Sequence, residues 1–207
     1  MIKDISHNFP ATHHYLICQA DAEQINLHLM QKLVQPFHKG RKHSLWSATA
    51  RQLPDLGRQI GWVPNKLPGT FLSETVVMEI ADAYAAPRNS LKALPEHIRR
   101  AEDLLQRLQL SELAQRNPFS LSEGETKLVW LLTQWAKKPD YLIIGYLPTS
   151  LSPPNISRVL DFLMDDHSSS GRQPVLIFGC LANHMEWCRP LLECGDWEVI
   201  TWESSLI

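Results

Sequence analysis

Apolar and polar positions come in blocks along this chain of 207 residues. Tyr15-Leu16-Ile17-Cys18 is an unbroken apolar run of strand length and predicts a buried strand. From about Ala22 to Val34 the apolar positions Ile25, Leu29, Met30 and Leu33 fall at helical spacing, which predicts a helix with one buried stripe. Gln59-Ile60-Gly61-Trp62-Val63 predicts a short strand ended by Pro64. Thr75 to about Leu113 reads as helices, broken around Ala86-Pro87-Arg88-Asn89. Leu128, Leu131, Leu132 and Trp135 give the next segment an apolar helical face. Then come a buried strand over Asp140 to Ile144, a helix over Ile156 to Met164 and a strand over Val175 to Phe178. A helix through Met185 and a last strand over Trp197 to Trp202 complete the pattern. Strands alternating with helices predict an α/β fold, a mainly parallel sheet with helices on both faces. The helical block 75–117 interrupts that alternation and reads as an inserted subdomain. One domain over 1–207 follows, with 1–74 and 118–207 as its α/β core.

Composition narrows the class. Hydrophobic content of 44% with 20% charged residues describes a globular chain. A net charge of -2 gives no global reason to expect nucleic acid as a partner. Met1 to Asn8 lacks the apolar core of a signal peptide, and no run approaches the ~20 apolar residues of a membrane span. Cys18, Cys180, Cys188 and Cys194 therefore read as reduced thiols. The expectation is a cytoplasmic protein that reaches a membrane only through partners.

Candidate chemistry centres on Leu121-Ser122-Glu123-Gly124-Glu125. Ser122 with Glu125 three residues later is a capping box, enough by itself to start a helix. The helix is followed by Lys137-Lys138-Pro139-Asp140 and the apolar run Tyr141-Leu142-Ile143-Ile144. Motif, helix, proline and strand at these distances resemble the signature-to-Walker-B stretch of ATP-binding-cassette (ABC) ATPases. The resemblance extends over roughly His13 to Trp202. Asn65, after Ile60-Gly61-Trp62-Val63-Pro64, stands in the place of the Q-loop glutamine, and Thr75-Val76 resembles the start of the helical subdomain. The implied fold is P-loop NTPase-like (RecA-like), with a shortened N-terminal antiparallel region.

Where that family carries its chemistry, this sequence carries none of it. The Walker B Asp-Glu-Pro falls at Gly145, Tyr146 and Leu147, or, matched on Pro148, its two acids fall at Tyr146 and Leu147; either way no carboxylate stands there to hold Mg²⁺ or orient water. The phosphate loop falls at Gln19 to Asn26, with Gln19, Gln24, Ile25 and Asn26 among its positions. That stretch has no glycine and no lysine, and Asp21 and Glu23 would repel a triphosphate. Ser152 replaces the D-loop aspartate, and Cys180 falls near the switch histidine, with His184 further along. Together the losses describe a pseudo-ATPase that holds no nucleotide at its own phosphate loop.

The signature differs, because Ser122, Gly124 and a helix N-terminus keep what meets a γ-phosphate. In ABC dimers that motif closes over ATP held by the other subunit. The resemblance thus implies an inactive subunit paired with an active ABC ATPase subunit and a transmembrane permease, peripheral to the inner membrane, meeting only partner-held ATP and Mg²⁺. The alternative is a soluble scaffold or regulatory protein that keeps the fold without nucleotide or transporter. No heptad run supports the coiled-coil arms of a DNA-repair ATPase head. A zinc site is not expected either: on a helix, Cys180 and Cys188 would lie about 12 Å apart, beyond one ion with ligands at ~2.0–2.3 Å. His13-His14 reads as structural, the seven tryptophans as core or interface, and His38 to His43 as a solvated basic loop.

Overall fold

The computed structural model describes residues 13–19, 59–67, 71–86, 93–165, 174–193 and 197–201. Their strands are β1 (His14–Gln19), β2 (Ile60–Val63), β3 (Tyr141–Ile144), β4 (Val175–Leu181) and β5 (Trp197–Thr201). They form one sheet in the order β2-β3-β4-β1-β5, and every pairing is parallel. Parallel strands are covered on both faces, which is why they appear in the sequence as continuous apolar runs and not as alternations. Leu16, Ile17, Leu142, Ile143, Ile177 and Phe178 are accordingly buried. β1 lies inside the sheet between β4 and β5, so the first apolar run is an interior strand as expected.

The described residues form five helices, α1 (Val76–Ala85), α2 (Pro95–Arg107), α3 (Glu123–Ala136), α4 (Pro153–Asp165) and α5 (Arg189–Glu193), of which α1 and α2 pack on each other and on α3. Thr75 caps α1, its hydroxyl accepting from the Met78 N–H at 3.4 Å. Buried Glu79 accepts from the N–H groups of Leu72 and Ser73 at 2.9 and 2.8 Å, so one carboxylate ties the incoming loop to the helix. α2 closes with Gln109 at φ 57, the Gln109 N–H donating to Gln106 O and the Leu110 N–H to Leu105 O. That is a Schellman ending built on glutamine where glycine is usual.

α3 is bound to β2, the outer strand of the described sheet. The Trp62 N–H donates to Gln134 Oε1 at 3.3 Å, and Trp130 Nε1 donates to the Trp62 carbonyl at 2.8 Å. Side chains of α3 thus occupy backbone groups that a bare edge would offer to another chain. Gly61 is packed against β3 and the turn before it: a Cβ there would come 2.8 Å from Leu142 Cδ1 and 3.1 Å from Pro139 Cγ, with Gln134 Cβ of α3 at 3.4 Å.

Two expected boundaries move. α4 starts at Pro153, ahead of Ile156, with proline in the first helical position where it costs no hydrogen bond. The helix expected through Met185 is absent. β4 instead continues through Gly179, Cys180 and Leu181, paired in register with Ile17, Cys18 and Gln19. A turn follows, closed by an antiparallel bridge between Leu181 and His184, then a 3-10 turn over Glu186–Cys188 leading into α5. Pairing with β1 decides this stretch, and local pattern does not see that partner. The helix expected from Ala22 to Val34 lies outside the described residues.

Candidate functional site

Ser122 begins α3 as its N-cap, with extended backbone. Its hydroxyl oxygen accepts from the Glu125 N–H at 3.3 Å, and both its N–H and its hydroxyl donate to Glu125 Oε2 at 2.8 Å. The capping box expected from the sequence is formed. These hydrogen bonds from Ser122, foremost the backbone one, hold the Glu125 carboxyl below its usual range. Arg116 adds to this, Nη1 donating to Glu125 Oε1 at 3.1 Å and Nη2 to the Ser120 carbonyl at 2.8 Å. Ser122 and Glu123 are exposed, while Leu121, Gly124 and Glu125 are half-buried. Glu123 and Glu125 place two carboxylates in the first turn, one at Gly124's own doorstep. A Cβ on Gly124 would sit 3.1 Å from the Ser150 carbonyl oxygen. Gly124 therefore serves the packing of α3 on the 147–151 turn as well as any ligand.

At the carboxyl end of the sheet the three positions after β3 take distinct roles. The Gly145 N–H donates to Val63 O at 2.8 Å and extends the β2–β3 pairing by one step. The Tyr146 N–H donates to Asn65 Oδ1 at 2.6 Å, so buried Asn65 ties the end of β2 to the end of β3. The Tyr146 hydroxyl bonds His184 Nδ1, and its ring meets Trp187 edge-on at 6.1 Å. Burial, chiefly, pushes the Tyr146 phenol above its usual range. Leu147 is buried at the start of a 3-10 turn. Ser152 is exposed, and its carbonyl accepts from the Ile156 N–H in the first turn of α4.

Beneath this cluster lies Lys127, only 1% exposed. Its one hydrogen bond among the described residues goes to the Asn65 carbonyl oxygen at 3.3 Å. Desolvation lowers its pKa to about 8, against a smaller opposing effect of Glu123. Lys127 shares the face of Leu131 and Trp135 at intervals of four, so its burial was readable from the helical pattern that made Leu131 a core residue.

Gln19 ends β1, while Gln24, Ile25 and Asn26 lie outside the described residues. Cys180 is a strand residue and Cys188 lies in the 3-10 turn, not both on one helix. Their sulfurs are 3.7 Å apart, not about 12 Å, because the chain turns back at 181–184. Among the described residues no group of three or more His, Cys, Asp and Glu side chains is arranged to hold a metal ion. His14 is structural: its Nδ1 accepts from the Leu176 N–H at 3.1 Å and its ring lies 5.0 Å from Trp197. The Tyr146–His184 pair, buried Lys127 and the Arg116 bridge were not foreseen. The first and last depend on loop paths that spacing along the chain does not contain.

The arrangement offers hydrogen bonds from an amide, a phenol, an imidazole and an amine, but no carboxylate at the end of β3. No protein-family model matches the chain. An ABC transporter ATP-binding protein of Bifidobacterium longum is 30% identical over 125 residues, which make up 60% of this chain and 16% of that protein. The energy-coupling factor transporter ATP-binding protein EcfA2 of Mycoplasmopsis pulmonis is 25% identical over 167 residues, 76% of this chain and 54% of that protein. The chain thus spans about half or less of the length of these relatives. Among solved structures, a dimeric bacterial ABC transporter cassette superposes with a TM-score of 0.65 at 13% identity, over 94% of this chain and 83% of that one. Relatives and structural neighbour point to one kind of domain, the nucleotide-binding domain of ABC transporters, and the chain has the fold of that ABC ATPase cassette.

Proposed function

We propose that this chain is a catalytically inactive ABC-type subunit that pairs with an active ATPase subunit and supports or regulates a membrane transporter. The carrying observation is the end of β3, where Gly145, Tyr146 and Leu147 are engaged in backbone pairing, a phenol–imidazole bond and core packing. Hydrolysis of a phosphoanhydride needs a metal and an oriented water at that point, and none of the three supplies a carboxylate to hold the one or orient the other. The similarity to energy-coupling factor and other ABC ATP-binding proteins supports the transporter setting. Among the described residues no helix is long and apolar enough to cross a membrane, consistent with attachment through a permease. Leu72 and Phe119 are exposed, and the Phe119 ring lies 6.2 Å from that of Phe71, the residue before Leu72; such apolar side chains suit contact with a protein partner.

In this reading Ser122 and the N-terminus of α3 close over ATP held by the partner. One observation favours the scaffold reading instead: Glu123 and Glu125 put negative charge where phosphate would approach. Two substitutions separate the readings in the reconstituted complex with the active subunit. Ser122→Ala removes the hydroxyl and should lower ATP turnover at least tenfold, whereas Glu125→Gln keeps the serine, removes a charge, and should maintain or raise it. Turnover unchanged by both, in a complex that still assembles, would leave the capping box as the whole role of these residues.

A further inference from the structure

Next to the Tyr146–His184 pair, four sulfur-bearing side chains gather at the carboxyl ends of β1 and β4. Cys18 on β1 stands in register with Cys180 on β4, and the Cys18 thiol donates to Met185 Sδ at 3.9 Å. Cys180 Sγ lies 3.7 Å from Cys188 Sγ. The Cys188 thiol donates to the Met185 carbonyl at 3.0 Å, and Cys180 Sγ lies 3.5 Å from the His184 carbonyl oxygen. The pair therefore brackets the turn 181–187. Cys180 and Cys188 are fully buried, while Ala182, Asn183 and His184 above them are exposed.

We propose that Cys180 and Cys188 are a reversible thiol–disulfide pair, oxidised by hydroperoxides, whose closure locks the turn 181–187 onto the end of β4. The proposal stands apart from the transporter reading, since it needs neither nucleotide nor partner. A disulfide requires sulfurs about 2.05 Å apart, so the 3.7 Å contact must shorten by about 1.7 Å. One end of the pair sits on an interior strand and the other on a short 3-10 turn behind an exposed turn, so the second end can move. Cys188 is the attacking group: the hydrogen bond from Cys180 holds its thiol below the usual range. The Cys188 thiolate attacks one peroxide oxygen, the O–O bond breaks, and the hydroxide released takes up the thiol proton as water. Cys180 sulfur then attacks the Cys188 sulfenic sulfur, the S–O bond breaks, and the hydroxyl leaves with the Cys180 proton as a second water. Two thiols lose two hydrogens, and one hydroperoxide becomes two waters, or a water and an alcohol. Because both sulfurs are buried, the first step waits on opening of the exposed turn, and the reaction is slow and gated. Once formed, the bond fixes His184 and with it the contact to the Tyr146 hydroxyl.

Reduced full-length protein treated with hydrogen peroxide, with remaining thiols blocked and peptides mapped by mass spectrometry, tests this. The expected result is a Cys180–Cys188 cross-linked peptide lacking two hydrogens, reversed by dithiothreitol, with slowed amide exchange at 181–188. Cys18→Ser should retain the link and Cys188→Ser should abolish it. Should a variant fail to fold, the wild-type map decides. Linkage through Cys18 or Cys194, Cys188 oxidised to sulfinic acid beside a free Cys180, or two thiols left untouched would each overturn the proposal.

Discussion

A lysine ammonium withdrawn from water is costly unless several acceptors replace its hydration, and Lys127 has one hydrogen bond among the described residues, at 3.3 Å. Its folded pKa of about 8 lies below that of an unfolded lysine. Between pH 8 and roughly 10.4 the unfolded chain therefore holds a proton that the folded chain has released, and stability rises with pH across that window. Below pH 8 both states are charged and the penalty is constant, of the order of 3 kcal/mol by the size of the shift. Lys127→Met keeps the length and apolar stem without the charge, and replacing a buried charge by a packed apolar group is often stabilising by about 1–4 kcal/mol. Urea unfolding at pH 7 should show Lys127→Met more stable than the parent, and the gap should shrink by pH 10. Taking the difference removes the phenols of Tyr15 and Tyr146, whose raised pKa values act oppositely above pH 10. A variant less stable than the parent at pH 7 would mean that Lys127 holds Asn65 in place more strongly than its burial costs.

At the scale of elements, α3 begins at the proposed signature and covers the edge of the described sheet, so its seat on β2 matters to both. Gly61 lies between that seat and the neighbouring strand: a Cβ there would press on Leu142 Cδ1 of β3 at 2.8 Å and Pro139 Cγ at 3.1 Å, and would touch Gln134 Cβ of α3 at 3.4 Å. Gly61→Ala should cost about 1–3 kcal/mol by overpacking, more than Ser122→Ala, which loses a cap of about 1 kcal/mol. Thermal unfolding of the two variants checks the order, and equal losses would mean that Leu142 turns aside freely. Legibility followed the same physics. Strands β1, β3 and the first half of β4 were readable because burial on both faces leaves unbroken apolar runs, and α3 because its cap and stripe agree. Gly179-Cys180-Leu181 was misread as helix because its strand character comes from β1, distant in sequence. In the site, Ser122 with Glu125 is a local motif and was visible; Tyr146 with His184 is a meeting of two loops and was not. The same blindness made Gly124 look like a ligand position alone, although its missing side chain also makes room for Ser150 O.

For the whole molecule, the proposed role fixes a stoichiometry. In a dimer of cassettes each ATP lies between one subunit's phosphate loop and the other's signature, and in the proposed reading this chain brings the signature while Gln19 to Asn26, without glycine or lysine, makes no phosphate loop. Two copies would offer two signatures to two loops without glycine or lysine, so Mg-ATP should neither bind saturably to the isolated chain nor drive its self-association. A pair with an active subunit should hold one nucleotide, on the partner's loop under Ser122, and leave the reciprocal position empty. Native mass spectrometry of the reconstituted pair with a non-hydrolysable ATP analogue counts this directly, and sedimentation of the isolated chain with and without Mg-ATP provides the control. One analogue per pair is expected, falling towards none when the active subunit's own phosphate-loop lysine is replaced. Two per pair, or micromolar binding by the isolated chain, would mean that residues 19–26 cradle phosphate without the usual glycines, and the inactive-subunit reading would fail. The count also bears on charge: Glu123 and Glu125 stand in the first turn of α3, the helix end that meets the shared nucleotide in the proposed arrangement, so Glu125→Gln should raise occupancy of the single site without creating a second.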